Sequence, residues 1–180
     1  MSCQMNDTAL QHTLQQFDLE QIVSCVPYGG GHINTTQLVT DAAGAHYILQ
    51  KINTNIFKNP VKLMENICAV TKHLRSKSDD PYASLTFIPT EAGTFYHADE
   101  ENGYWRCYEF VPGFGLDTPE SDEDFYQSAL AFGRFQQLLS DFPAETLCET
   151  IPEFRCTGLG GLFLSDFDEA YNKELINENG

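Results

Sequence analysis

The stretch Ala45–Val70, AHYILQKINTNIFKNPVKLMENICAV, changes from the pattern of a β-strand to that of an α-helix. Ala45–Ile52 is an apolar run of strand length. Asn59 and Pro60 then predict the start of a helix, because Asn is a favoured N-cap and Pro is favoured at the first helical position. The next apolar residues recur at helical spacing as far as about Ser76: Leu63, Ile67, Val70 and Leu74.

Two further strand-like runs precede this stretch. Gln21–Tyr28 ends in the triplet Gly29-Gly30-Gly31, and Ile33–Thr40 is rich in Thr and other β-branched residues, which favour strands. Asp41–Gly44 has the composition of a turn. Three strands joined by two tight connections predict an antiparallel meander.

Strands return after the helix. Leu85–Pro89 and Thr94–His97 are predicted as short strands, and the Asn102-Gly103 pair is a strong hairpin signal. Trp105–Val111, WRCYEFV, is a further strand, which Pro112–Gly115 ends. A connector rich in Gly and Pro therefore separates the strands from the C-terminal part of the chain.

Helices are predicted at both ends of this region. The first covers Thr8–Phe17 with Asp7 as its N-cap. The second runs from about Ser121 to Ser140, after the cap signal Thr118-Pro119, and its aromatic stripe is predicted to lie in a core: Phe125, Phe132 and Phe135. The whole order predicts an α+β fold class, in which an antiparallel sheet with a helix is followed by the start of a helical lobe.

The charge of the chain limits its partners. The net charge is −16 over 180 residues, and such a surface repels a nucleic-acid backbone and an anionic membrane, so neither partner is predicted. ATP is also an anion, so a site for it would need local compensation from a Lys, a magnesium ion or backbone N–H groups. Lys and Arg together number only ten, which makes each well-placed cation informative.

Cysteine usage and apolar patterning indicate a soluble cytoplasmic protein. The six cysteines include no CxxC pair, and the five histidines share no metal-ligand spacing, so no metal site is predicted. No basic segment followed by an apolar run opens the sequence. No apolar stretch approaches the roughly 20 residues that a membrane span needs.

The segment Tyr28–Thr36, YGGGHINTT, is a candidate phosphate-binding turn between two strands. Glycines let the backbone approach phosphate oxygens closely and expose N–H donors to them. Asn34 and the Thr residues after it add side-chain donors. The alternative is a plain hairpin loop, since Gly-rich turns are common.

Lys51 and Glu65 are a candidate pair for holding phosphate. In an ATP-binding fold of the kinase type, a strand Lys reaches the α- and β-phosphates and a Glu from the next helix holds it. Lys51 ends the third strand, and Glu65 falls in the second turn of the first long helix. The alternative is two solvated surface charges.

The segment Trp105–Gly115, WRCYEFVPGFG, has the pattern of a hinge between two lobes. Adenine would be bound there by backbone groups, the C=O of Glu109 and the N–H of Val111, with aromatic residues lining the slot. The alternative is an ordinary strand end.

Four motifs in this order and near these spacings carry a family resemblance: YGGGHINTT, YILQKIN with TNIFKNPVKLMENI, YEFVPG, and ETIPEF. From about Asp18 to Phe154, the chain resembles the N-terminal half of the aminoglycoside phosphotransferase superfamily, and within it the bacterial N-acetylhexosamine 1-kinases. The most specific part is Tyr47–Val70. The resemblance implies a protein-kinase-like fold with a mixed N-lobe and a largely helical C-lobe. It also implies ATP and magnesium as cofactors and a sugar hydroxyl, at the anomeric carbon, as acceptor.

The same resemblance assigns roles by position. It implies that Lys51 grips phosphate, that Glu65 orients the Lys, and that the Gly-rich turn lies over the triphosphate. The residues of that turn are Gly29, Gly30, Gly31, His32, Asn34 and Thr35.

The chain departs from the family at the catalytic loop, where H-x-D-x4-N supplies a base and a metal ligand. His97-Ala98-Asp99 is the only H-x-D, but Tyr104 stands where the Asn should be and the segment precedes the hinge. Asp166-Phe167-Asp168 only superficially resembles a metal-binding motif. No catalytic and no metal-binding residue is therefore assigned, and we expect a portion of a kinase that is inactive by itself.

The predicted organisation has four parts: an N-terminal helix (1–20), the N-lobe (21–112), the hinge with the first C-lobe helix (113–155), and a truncated or irregular tail (156–180). The predicted partners are a nucleotide and, in a longer protein, a sugar acceptor. Two alternatives stay open. One is a non-catalytic, pseudokinase-like interaction module, and the other is a kinase portion for choline, homoserine or an aminoglycoside.

Overall fold

The computed structural model describes residues 8–29, 33–113, 118 and 121–151. Within them, one antiparallel sheet has the strands β1 (Ile22–Pro27), β2 (Thr35–Asp41), β3 (His46–Lys51), β4 (His97–Asp99) and β5 (Gly103–Glu109). The helices are α1 (Thr8–Leu14), α2 (Pro60–Lys77) and α3 (Asp122–Leu138), followed by a 3-10 turn at Ala144–Thr146. The order across the sheet is β1-β2-β3-β5-β4, so the chain leaves after β3, forms α2, and returns at the far edge.

The register of the strands decides which side chains share a face of the sheet. Leu49 lies opposite Cys107, and Gln50 lies opposite Arg106. Residues opposite each other point to the same face, and successive residues point to opposite faces. Two faces can therefore be distinguished along β3. The α1 face carries Tyr47, Leu49 and Lys51, and the α2 face carries Ile48 and Gln50.

The α1 face carries the main core. Leu14 of α1 and Phe17 just after it pack on the sheet, and the central residues beneath them have no exposed surface: Val39, Leu49 and Cys107. Burying an aliphatic side chain of this size contributes roughly 1.5–3 kcal/mol. The short α1 is thus held by tertiary packing, since an isolated helix of this length is unstable in water.

The α2 face is covered by α2 itself. Asn59 caps that helix, and its side-chain oxygen accepts from the N–H of Lys62 at 3.0 Å, with Pro60 in the first turn. Met64 packs with Ile52 and Phe87 in a second core cluster. The predicted cap, proline and apolar period of this helix are confirmed.

The predicted meander and hairpin are also confirmed, with two corrections among the strands. The hairpin between β4 and β5 turns at Asn102-Gly103, and Gly103 has φ 81°. Leu85–Pro89 contributes only an isolated bridge, Phe87 to Tyr108, beside β5. The short strand expected at Thr94–His97 falls instead at β4, because it pairs only where Gly103 reverses the chain.

The C-terminal helix differs more from its prediction. Its N-cap is Ser121, whose hydroxyl accepts from the N–H of Asp124, and the predicted Thr118-Pro119 signal lies before that cap. The prediction that its aromatic stripe lies in a core is wrong, because none of the described residues of α3 is buried and Phe125 is 66% exposed. Asp7 and the tail 156–180 lie outside the described residues.

The described part of the chain can be compared with two expectations from the sequence, one about its cysteines and one about membrane-spanning segments. Cys25, Cys68, Cys107 and Cys148 are free thiols there. Burial raises the pKa of the Cys107 thiol to about 12. None of the helices among the described residues combines the length and apolar character that crossing a membrane requires.

Candidate functional site

A cavity of about 370 Å³ opens on the α2 face of the sheet. One wall comes from the strands, through Tyr28, Thr36 and Ile48. A second part of the lining comes from β5 and the chain leaving it, through Tyr108, Phe110 and Val111. The volume is that of a small-molecule site, and apolar and aromatic walls suit a flat heterocycle.

The strand register explains why these residues meet. Thr36 lies opposite Gln50, Ile48 lies opposite Tyr108, and all four point to the α2 face. Tyr28 continues this face, because its N–H donates to the carbonyl of Thr36 at 3.0 Å. Burial raises the pKa of the Tyr108 phenol, which is neutral at pH 7 as an ordinary tyrosine is.

The predicted hinge forms the second wall of the cavity. The N–H of Phe110 donates to the carbonyl of His46 at 3.0 Å, so it points toward β3. Backbone groups of alternate residues point to opposite edges of a strand, which turns those of Glu109 and Val111 away from β3. The Glu109 N–H donates to Thr86 at 2.9 Å, whereas no group of the described residues accepts from the Val111 N–H. Val111 lines the cavity and is 43% exposed.

The Gly-rich turn is described only in part. Gly29 has φ 76°, a conformation that favours glycine, while Gly30, Gly31 and His32 lie outside the described residues. Asn34 accepts from the N–H of Asn53 at 2.9 Å, so its side chain ties the turn to the end of β3. Thr35 lies opposite Lys51 on the α1 face, and Thr36 is the threonine that lines the cavity.

Lys51 lies on the opposite face of the sheet from the cavity. Its ammonium nitrogen is 5.6 Å from the centroid of the Trp105 ring, which belongs to the α1-face core. It pairs in register with Trp105, whereas the cavity residue Ile48 is an odd number of residues away and points to the other face. The predicted position of Lys51, beneath the Gly-rich turn, is therefore wrong.

The predicted contact between Lys51 and Glu65 is wrong as well. Glu65 lies on the solvent side of α2, with its side chain 55% exposed and an ion pair to Lys62 at 2.7 Å. Its neighbour Met64 is the residue turned to the sheet, because successive residues of a helix are about 100° apart. Such an exposed pair contributes little to stability.

A different cation lies on the cavity side of the sheet. Arg106 of β5 donates to Gln50 Oε1 from Nε at 3.0 Å and from Nη2 at 2.7 Å. Gln50 in turn donates from Nε2 to Thr36 Oγ1 at 3.0 Å. Three side chains thus form a chain of hydrogen bonds that ends at the cavity wall.

Sequence reasoning misses this network. It interprets WRCYEFV as a strand that leads to a hinge and gives Arg106 no role. Of the neighbouring residues Gln50 and Lys51, it assigns a function only to Lys51. The signal that could have found the network is strand alternation, which puts Arg106 on the same face of the sheet as the cavity residue Tyr108. Burial lowers the pKa of the Arg106 guanidinium, which still stays charged at neutral pH because arginine loses its proton only in strongly basic solution.

A larger cavity, of about 570 Å³, lies between α1 and the start of β1. Its walls include the carboxylates of Asp18, Glu20 and Glu91, whereas no carboxylate is among the described residues that line the smaller cavity. Such a wall repels phosphate. The smaller cavity is therefore the better candidate for an anionic nucleotide.

One set of metal-ligand atoms is brought together by the fold. His12 of α1 and His97 and Asp99 of β4 each place one such atom within 4.8 Å of the others. The His97 Nε2 is buried, with no hydrogen-bond partner among the described residues. Sequence spacing could not show this tertiary cluster. None of the three lines the nucleotide-sized cavity, and magnesium prefers oxygen ligands, so the cluster provides no magnesium site there.

No protein-family model matches the chain. Among solved structures, the fold is similar to an aminoglycoside phosphotransferase from Alicyclobacillus acidocaldarius, with a TM-score of 0.56 and 16% sequence identity over 81% of this chain and 40% of that one. It is also similar to the amicoumacin kinase hAmiN in complex with AMP-PNP, Ca²⁺ and Ami, with a TM-score of 0.56 and 16% identity over 76% of this chain and 41% of that one.

The chain therefore spans about two fifths of the length of these kinases. At this identity the likeness concerns the fold alone. Its five-stranded antiparallel sheet with helices has the kinase-like N-lobe fold of these aminoglycoside phosphotransferase and amicoumacin kinase structures.

Proposed function

We propose that this chain is the ATP-binding portion of a small-molecule kinase, which supplies the nucleotide site for transfer of the γ-phosphate to a hydroxyl group. The proposed acceptor is an N-acetylhexosamine, on the strength of the sequence motifs, and the proposed metal is magnesium bound with the ATP. Choline, homoserine or an aminoglycoside is the alternative acceptor. We expect no sugar phosphorylation by this chain alone.

The observation that carries the proposal is the position of the cavity. It lies between Tyr28, the α2 face of β2 and β3, and the chain leaving β5. Val111 lines this cavity, and no group of the described residues accepts from its N–H. Two other lining residues, Tyr28 and Phe110, pack their rings edge to face at 5.8 Å. A backbone donor beside aromatic walls suits the hydrogen-bonding edge of adenine. The fold likeness to a kinase in complex with AMP-PNP supports a nucleotide as the ligand.

Calorimetric titration with AMP-PNP and Mg²⁺ tests the proposal. The variant Val111→Pro removes the one N–H that we assign to adenine, and Val111→Ala keeps it as the matched control. A single hydrogen bond is worth about 0.5–1.5 kcal/mol, so we expect Val111→Pro to weaken binding roughly two- to tenfold, with Val111→Ala close to wild type. Equal affinities for the proline and alanine variants would refute the assignment of Val111.

A second candidate function is a non-catalytic interaction module. It is favoured by the aromatic side chains that α3 exposes, among them Phe125 and Tyr126. This candidate predicts that the wild-type chain gives no binding heat with AMP-PNP and Mg²⁺. The same titration therefore decides between the two functions.

A further inference from the structure

Arg106 is a partly enclosed cation without an anion. Its guanidinium donates to the neutral oxygen of Gln50 and approaches the sulfur of Met64 at 3.9 Å. Within the described residues it takes part in no ion pair, although the sequence holds 26 acidic residues. Removing a charge from water without pairing it is costly, and such groups usually pair or bind a charged ligand.

The surroundings of Arg106 keep its position fixed. Gln50 lies directly opposite it on β3, and the two hydrogen bonds from Nε and Nη2 converge on one oxygen. Gln50 is itself positioned by a hydrogen bond that its Nε2 donates to Thr36 Oγ1 at 3.0 Å. Because a guanidinium has five N–H donors, this arrangement leaves donors available for a second acceptor.

The hydrogen-bonded chain from Arg106 leads to the phosphate end of the proposed nucleotide site. Thr36 lines the cavity, and its carbonyl accepts from Tyr28, the residue directly before the Gly-rich turn. A base held beside Val111 would direct its phosphates along this wall, away from the hinge. The anion would then lie on the side of the sheet that carries the guanidinium.

We propose that Arg106 on β5 is the cation that binds the phosphates of a nucleoside di- or triphosphate, with Gln50 as its positioning residue. This inference rests on the proposed function. It assigns phosphate binding to Arg106 of β5 in place of Lys51 of β3. Lys51 cannot serve there, because it lies on the α1 face over Trp105. Guanidinium is well suited to the task, since its planar fork matches two phosphate oxygens at once.

Titration of two ligands separates this inference from the proposed function. Adenosine occupies only the base and ribose part of the site, and ATP adds the phosphates. We expect Arg106→Met to weaken ATP binding at least about tenfold and to leave adenosine binding within about twofold. Lys51→Ala is the matched control, because it removes a nearby cation of the same sheet that lies on the other face. We expect it to bind both ligands as the wild type does.

Each outcome has one meaning. If wild type binds neither ligand, the proposed function fails. If wild type binds both and Arg106→Met keeps its ATP affinity, or Lys51→Ala loses it, the assignment of Arg106 is overturned. Arg106→Lys is the second variant, used if the methionine variant does not fold. It keeps the charge but not the fork, so we expect intermediate ATP affinity and an unchanged affinity for adenosine.

Discussion

Cys107 lies in the middle of β5, and its thiol is enclosed by the α1-face core. The residue therefore reports whether that core is closed in solution. Burial raises its pKa to about 12, while Cys148 near the C-terminal end of the described chain is exposed. The reactive form of a cysteine is the thiolate, so both enclosure and the raised pKa protect Cys107 from alkylation.

We predict that iodoacetamide at pH 8 alkylates Cys148 and leaves Cys107 unmodified in the native chain. At that pH a thiol of pKa about 12 is ionised in about one molecule in ten thousand. Peptide mass spectrometry measures the two sites separately, and labelling in denaturant shows that both can react. Native labelling of Cys107 as fast as that of Cys148 would contradict the closed core.

Single residues also show where sequence reasoning stops. Gln50 and Lys51 are neighbours on β3 and point to opposite faces of the sheet. Which of them lies on the cavity side depends on the strand register, because a shift of one residue would exchange the two faces. Both faces of β3 are apolar, with Leu49 on one and Ile48 on the other, so hydrophobic alternation gives no signal. The positive charge of Lys51 suggests phosphate binding, but Lys51 lies on the α1 face, away from the cavity.

Among the elements, α2 is the most predictable, since its start is determined locally. Asn59 and Pro60 provide the cap and the first turn, and both signals are within four residues of sequence. The boundaries of the edge strand β4 differ from the prediction, because this strand pairs with β5 only at His97–Asp99, next to the turn before Gly103. Leu85–Pro89 is also predicted as a strand but forms only one bridge, from Phe87 to Tyr108 of β5. How much of this segment pairs depends on its alignment with β5, which its own sequence does not determine.

The cap of α2 gives a prediction at this scale. We expect Asn59→Ala to lower the free energy of unfolding by about 1 kcal/mol, because the N–H of Lys62 loses its acceptor. Ser121→Ala removes the equivalent cap of α3, which buries none of its described residues. The α3 cap should therefore matter less to global unfolding. Urea denaturation followed by circular dichroism measures both, and an equal or larger loss for Ser121→Ala would contradict this account of α2.

At the scale of the whole molecule, the α+β class and the sheet–helix–sheet order could be predicted from strand runs, turn residues and one capped helix. The site could be predicted only in outline. The predicted hinge and the Gly-rich turn are each a continuous stretch of sequence, so both can be recognised as motifs. The proposed cation of the site, Arg106, is linked to the cavity residue Thr36 through Gln50, and this link needs pairing between β3 and β5, which are more than fifty residues apart.

The global charge places a further demand on this site. A net charge of −16 repels a nucleotide at long range, and the cavity must offset that repulsion locally. In the proposed site, the guanidinium of Arg106 and the proposed magnesium would together supply such an offset.

The most direct test of this account is a nuclear magnetic resonance titration of the ¹⁵N-labelled chain with AMP-PNP and Mg²⁺. Trp105 is the chain's one tryptophan, and its indole reports on the α1 face beside Lys51. We predict large shifts for the Val111 amide and the Arg106 Nε–H, with the Trp105 indole N–H almost unmoved. Shifts at the Trp105 indole with Arg106 and Val111 unchanged would contradict it.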